Sequence, residues 1–211
     1  MIPISLSLFL LRIYIVRIVL GAGQFDWLAT ILTARTLGFF AISLFAQSLI
    51  PLFTRAFYAL EDTKSPVITS VGSVVLNIVL AMLLSKYLGV AGLALAFSIA
   101  SIVQLLVLVI WLRVKISYLD YVRIARSSVI ILFMSFLSGI FLYATIYAIE
   151  PFVDTHTFVG IFLQTVGASI IGAMVYLAAS FAFALEEADV IKSRLKKYWK
   201  FFYKTLDFSK K

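Results

Sequence analysis

Apolar residues run along this chain in long blocks, not in strict alternation or in narrow helical stripes. A hydrocarbon core of ~30 Å is crossed by about 20 apolar residues in a helix, and six blocks of that order follow one another here. Helices that are apolar all round take lipid or a protein interior as their solvent. The blocks are too long, and too rich in Leu, Ile, Val and Ala, to be β-barrel strands. The expected fold class is therefore all-α: a polytopic transmembrane bundle of about six helices.

Turn chemistry sets the expected boundaries. A first helix runs from Ile2 to Leu20 and stops at Gly21-Ala22-Gly23, where glycine can take the positive φ that ends a helix. Asp26 is placed to cap the second helix, and Trp27 suits a membrane interface. That helix, Trp27 to Leu60, is too long for a perpendicular span, so it must tilt, kink at Pro51 or extend beyond the bilayer. The polar run Glu61-Asp62-Thr63-Lys64 ends it, and Ser65-Pro66 reads as N-cap and first residue of a third helix reaching Tyr87. Gly89 and Gly92 bracket a tight turn into a fourth, which ends near Trp111 and Arg113. A hydrophilic connector from Arg113 to Arg126 leads to a fifth helix, Ser127 to Ile149, closed by Glu150-Pro151. After a loop at Asp154-Thr155-His156-Thr157, a sixth covers Phe158 to Leu185. In residues 186–211, Ile191, Leu195, Tyr198, Trp199 and Phe202 recur at helical spacing among basic residues, as in an amphipathic helix on a membrane surface. The chain thus divides into four helices over 1–113, two more over 114–185, and a basic tail over 186–211.

Composition agrees and charge adds an orientation. Of 211 residues 63% are hydrophobic and 13% charged, against about 25% charged in soluble domains. The net charge of +8 is unevenly placed. Connectors after helices two, four and six carry Lys64, then Arg113, Lys115, Arg123 and Arg126, then the basic tail, whereas those after one, three and five offer Lys86 alone. By the positive-inside rule the first group, with the C-terminus, is cytoplasmic. The basic flanks then attract anionic membrane lipids; no recognition module accompanies them, so no nucleic-acid partner is expected. No cysteine and a single histidine, His156, exclude a disulfide framework and a multi-His metal centre. The acidic residues fall in connectors or the tail and no phosphate-binding Gly-rich loop is present, so neither an enzyme nor a cofactor is expected.

Polar residues inside the helices are the candidates for function. Arg35 lies two turns into helix two, Gln47 near its middle, and Asn77 and Gln104 deep in helices three and four. An ionisable group at membrane depth faces a cavity or pathway, or snorkels to the interface, and both readings stand for Arg35. Arg12 and Arg17 raise the same question, with Arg17 close enough to its helix end to snorkel. For Asn77 and Gln104 an interhelical hydrogen bond is the favoured role. Arg55 is expected at head-group depth.

One stretch resembles a known family. Arg55-Ala56-Phe57-Tyr58-Ala59 followed by Asp62-Thr63-Lys64-Ser65-Pro66 resembles the R-x-F-Y-A-x-x-D-T-K-x-P signature of the MurJ/MviN lipid II flippases. Ile15-Val16-Arg17-Ile18-Val19-Leu20 with Gly23 and Phe25, and Asn77, Leu80, Leu88-Gly89 and Gly92-Leu93-Ala94-Leu95-Ala96, resemble the flanking family pattern. The resemblance is specific from Arg12 to Arg113. It implies that these are the last six of fourteen helices in a multidrug/oligosaccharidyl-lipid/polysaccharide exporter fold, the carboxyl-terminal lobe plus two helices lining a lipid-facing groove.

The function so implied is transfer of a lipid-linked peptidoglycan precursor across the bacterial cytoplasmic membrane by alternating access, with Arg35, Gln47 and Arg55 as substrate-cavity candidates. The family's best-known cavity arginines lie in an amino-terminal lobe, so a separately encoded lobe is an implied partner. Some members are thought to bind sodium through an Asn, an acid four residues on and a Thr of the next helix; here Ala81 and Phe97 stand at the latter two positions, and sodium coupling does not carry over. Two alternatives remain: an exporter of O-antigen or teichoic-acid carriers, against which the Phe57-Tyr58-Ala59 and Asp62-Thr63 run argues, and a non-transporting structural membrane subunit.

Overall fold

The computed structural model describes residues 1–21, 26–116, 121–153 and 157–182. It is an all-helical bundle of α1 (Ile2–Leu20), α2 (Trp27–Ala59), α3 (Lys64–Leu88), α4 (Val90–Lys115), α5 (Tyr121–Ile149) and α6 (Phe158–Ala182), with a 3₁₀ turn at Glu150–Phe152. All six α-helices hold a stretch long and apolar enough to cross a membrane. The solvent-facing logic is inverted accordingly: Val67, Val71, Val75, Ile78 and Met82 stand exposed along α3, and Ala, Gly and Ser fill the contacts between helices. In lipid the apolar side chains gain nothing by hiding, so small residues that let backbones approach occupy the interfaces.

Two packing units share one helix. In the first, α4 packs against both α2 and α3; in the second, α5 packs against α6. The helix common to both is α1, which lies against α2 on one side and against α5 and α6 on the other. Leu11 of α1 is buried with Leu142 and Ile146 of α5 and Ala168 of α6, while Phe57 of α2 is buried with Leu108 and Leu112 of α4. Hydrogen bonds tie α5 to α6: Ser138 Oγ donates to the Gly172 carbonyl at 2.7 Å and Gln164 Nε2 to the Ile146 carbonyl at 2.9 Å.

The helix ends agree with the turn chemistry at some points and correct it at others. Asp26 does cap α2, accepting from the Trp27 N–H at 2.6 Å. At the end of α1, however, Gly21 has φ −74°, so it is not a left-handed terminator. Glycine is needed there for space, since a Cβ would lie 2.2 Å from the Arg17 carbonyl oxygen. Gly89 takes the positive value, φ 59° with ψ −137°, a conformation open to glycine alone, and turns the chain from α3 straight into α4.

Helix α3 starts at Lys64, before Ser65, with Thr63 at its N-cap position making no side-chain bond; the capping carboxylate is that of Asp62, one residue earlier, whose Oδ1 accepts from the Lys64 and Ser65 N–H groups at 3.1 Å each. Ser65-Pro66 is thus not the cap and first residue. Likewise α5 starts at Tyr121, six residues before Ser127: the connector is hydrophilic, but no Gly or Pro interrupts it, and polarity alone does not break a helix. The loop at 154–156 with His156, the end of helix six at Leu185, and the basic tail lie outside the described residues.

Candidate functional site

The signature run folds into a clasp. Phe57 is fully buried against Leu108 and Leu112, which fixes the end of α2 on α4. Five residues after Phe57, Asp62 collects donors from three directions. Beyond the two backbone N–H groups, Ser65 Oγ donates to Oδ2, and the Lys115 ammonium, 53 residues away at the end of α4, pairs with the same oxygen. Lys115 also stands 5.8 Å from the centre of the Phe57 ring. The hydrogen bonds from Lys115 and Ser65 hold the Asp62 carboxyl well below the usual carboxylate range. Phe57, Asp62 and Lys115 therefore lock the α2–α3 turn to α4. Pro66, buried in the first turn of α3, follows on at a position where its missing N–H leaves no helix bond unmade. Arg55, Tyr58, Ala59, Thr63 and Lys64 are exposed around this clasp.

About two turns inward from Arg55, a polar cleft opens between α2, α3 and α4. It has a volume of about 230 Å³, and its polar lining comes from Gln47, Ser70, Ser73, Asn77, Ser101 and Gln104. Pro51 also lines it; having no N–H, it leaves the Gln47 carbonyl without the usual helix donor. The side chains of Asn77 and Gln104 make no hydrogen bond among the described residues, so the interhelical bonds expected of them are not formed, and both amides line the cleft.

Serines make the crossings instead. Gln47 Nε2 donates to Ser43 Oγ at 2.8 Å, Ser43 and Ser98 hydroxyls meet at 3.0 Å, and Ser98 Oγ donates to the Phe39 carbonyl at 2.6 Å. Ser73 Oγ reaches the Ala100 carbonyl at 3.2 Å. Phe97 shares the cleft wall with Asn77 and packs edge-on to Phe40 at 5.6 Å. A cleft whose polar lining is amide and hydroxyl, with no carboxylate, suits a neutral hydrogen-bonding group better than a bare cation.

The three cavity candidates do not converge. Gln47 lines the cleft and Arg55 lies farther along α2, both toward its α3 end. Arg35 is twelve residues before Gln47, about 18 Å along the helix and about 120° round it, exposed on another face. Two features carried no local signal in sequence: Lys115 as the partner of Asp62, read there only as an orientation charge, and the seating of Arg12. Arg12 donates through Nη1 to the Phe9 carbonyl at 2.7 Å and lies 4.5 Å from the centre of the Phe9 ring. Arg17 stands 5.3 Å from the Trp27 ring centre at the interface end.

Comparison with known proteins bears on the whole of this arrangement. The family model described as lipid II flippase MurJ matches residues 1–163, beyond the Arg12–Arg113 stretch that carries the signature and into α6. A probable lipid II flippase MurJ of Borreliella burgdorferi is 30% identical over 135 residues, 63% of this chain and 27% of that protein. One of Rhizobium tropici is 28% identical over 199 residues, 92% of this chain and 37% of its own length. The lipid II flippase MurJ of Thermosipho africanus is 28% identical over 137 residues, 65% and 29% respectively. The chain thus spans between about a quarter and just over a third of the length of these relatives. A signature folded into a clasp, six membrane-spanning helices and a match over residues 1–163 together make this multi-pass membrane protein a member of the MurJ lipid II flippase family.

Proposed function

We propose that this chain supplies the carboxyl-terminal helices of a lipid II flippase, which moves lipid-linked peptidoglycan precursor from the inner to the outer leaflet of a bacterial cytoplasmic membrane. The observation that carries the reading is the family match over residues 1–163 in a chain covering only part of each relative. In this reading residues 1–113 complete the second lobe of the transporter, 114–185 add two helices facing lipid, and an amino-terminal lobe closes the cavity. The α2–α3 turn, the α4–α5 connector and the basic tail lie on the cytoplasmic side, against anionic lipid head groups.

The residues divide the work by their chemistry. Asp62, Lys115 and Phe57 hold the inner ends of α2, α3 and α4 as one block, so that a lobe can rock without fraying. Gln47 and the neighbouring amides offer neutral hydrogen bonds to a sugar or peptide group, and Arg35 and Arg55 offer charge to a phosphate.

Joining the chain to the amino-terminal lobe of a relative tests this: the fusion is expected to restore growth to a strain depleted of its lipid II flippase. Normal insertion without rescue would count against transport. Rescue of a strain lacking another carrier's exporter, and not of this one, would point to a different lipid-linked glycan.

A further inference from the structure

A serine hydroxyl has one proton to give, and at the α2–α4 crossing the distances fix where each one goes. Ser98 Oγ gives its proton to the Phe39 carbonyl at 2.6 Å. The 3.0 Å contact between the Ser43 and Ser98 hydroxyls can then be bonded only through the Ser43 proton, for which the Phe40 carbonyl at 3.1 Å competes. In either case Ser43 has nothing left to donate to the Gln47 amide, 2.8 Å away, and accepts from its Nε2. Turning that amide over would draw the Ser43 proton to Gln47 and leave two serine oxygens in contact with no proton between them. Ser43 and Ser98 are 0% and 1% exposed, so water does not reopen the choice. With Nε2 held on the serines, Oε1 is left to the cleft between α2, α3 and α4 that Gln47 lines.

The other walls of the cleft repeat this bias. Pro51 leaves the main-chain carbonyl of Gln47 without its usual donor, so one residue offers two acceptor oxygens. Ser73 spends its proton on the Ala100 carbonyl at 3.2 Å and Ser101 on the Phe97 carbonyl at 2.8 Å, so both turn lone pairs to the cleft. The amides of Asn77 and Gln104, unbonded among the described residues, keep N–H groups for acceptors on the ligand. An uncharged lining so weighted selects a neutral group rich in donors. Sugar hydroxyls supply donors in number and accept back from Asn77 and Gln104, whereas a peptide unit offers a single N–H and an ionised carboxylate none.

We propose that Gln47 is the specificity-determining acceptor of a sugar-hydroxyl site in this cleft, and that Ser43 and Ser98 are positioning residues that hold its amide in the accepting orientation. That the sugar belongs to a lipid-linked precursor rests on the reading above; the polarity of the cleft does not. Ser43 and Ser98, which nothing in the signature marks, thereby do more than join α2 to α4. A site built around fixed acceptors rejects an analogue that lacks the matching donors, because its own oxygens are then left unpaired.

Hexyl glucoside tests this on the full chain in phosphatidylcholine nanodiscs, against an analogue in which two ring hydroxyls are replaced by fluorine, which keeps nearly the size but cannot donate. Binding is read from the side-chain amide resonances of Asn and Gln in the nitrogen-15-labelled chain. The glucoside is expected to bind about tenfold more tightly than the fluorinated analogue. Gln47→Leu should abolish that preference. Ser98→Ala frees the Ser43 proton to turn toward Gln47 and should cut the preference to about threefold or less. Ser98→Thr, which keeps the hydroxyl, should retain it. Equal binding of the two glucosides, no binding of either, or a Ser98→Ala variant that keeps the full preference with its helical circular dichroism intact would overturn the site. A fusion to an amino-terminal lobe that rescues growth although the chain binds both glucosides equally overturns the site alone. A fusion that never rescues, from a chain that still discriminates them, overturns the transport reading and leaves the site standing.

Discussion

Asp62 shows how one carboxylate can organise a helix junction. It caps α3 through two backbone N–H groups and holds α4 through Lys115. Replacing it with Asn keeps the shape and removes the charge, so the cap weakens and the ammonium loses its partner. Asp62→Asn is expected to speed amide exchange in the first turn of α3 about fivefold, measured by hydrogen exchange in detergent. Lys115→Ala should do less, because the cap survives it. The pH dependence follows from the direction of the shift. The folded carboxyl is held below its unfolded range, so its contribution is fully present above about pH 4 and is lost only as pH falls toward the folded value. The difference in melting temperature between the parent and Asp62→Asn should therefore stay flat from pH 8 to 5 and shrink below about pH 4.

Among the helices, glycines separate into those that hold backbones together and those that merely occupy a position. A Cβ at Gly92 would lie 2.4 Å from the Leu84 carbonyl oxygen, a backbone atom that cannot swing aside, whereas one at Gly72 meets nothing within 4 Å. Gly92→Ala is expected to cost on the order of 3 kcal/mol and Gly72→Ala to be neutral or to stabilise by about 0.5–1 kcal/mol, compared by thermal unfolding in detergent. Ser98→Ala, which breaks the hydroxyl bridge from α4 to α2, should cost about 0.6 kcal/mol, the average for a hydrogen bond between membrane helices. The existence and number of the helices were legible in the sequence because ~20-residue apolar blocks leave little else to form. Their ends were less so: Ser65-Pro66 looked like a start, yet the capping carboxylate was Asp62, and a hydrophilic connector proved to be partly helix. The site was legible in pieces. Gln47, Asn77 and Gln104 stood out as polar residues at depth, but which of them share a cleft depends on how α2, α3 and α4 rotate against one another. No local pattern encodes that rotation, nor does any reveal that Lys115 returns to Asp62 across 53 residues.

For the molecule as a whole, the arrangement of ends makes a prediction that suits this chain well, since it contains no cysteine of its own. Single cysteines placed by Glu61→Cys in the α2–α3 turn and Glu150→Cys after α5 should react with a membrane-impermeant maleimide from opposite faces of sealed vesicles, Glu61→Cys from the cytoplasmic one. Labelling of both from one face would contradict the six-span topology, and labelling of Glu61→Cys from the outer face alone would invert it. The apolar exposure of α3 also gains meaning at this scale. A helix resting on α4 and little else presents most of its girth to its surroundings, which in a bilayer costs nothing and in water would cause aggregation.

The sharing of α1 between the two packing units has a mechanical corollary. A body built as two blocks on a common beam is stiff within each block and compliant about the beam. Twisting α5 and α6 around the long axis of α1 leaves the serine bridges of α2 and α4 and the Asp62 clasp untouched, while it opens or pinches the seam where α1, α2 and α5 meet. Torque applied at the far end of the chain is therefore delivered to that seam first, and whatever rests there feels the movement before the rest of the bundle does.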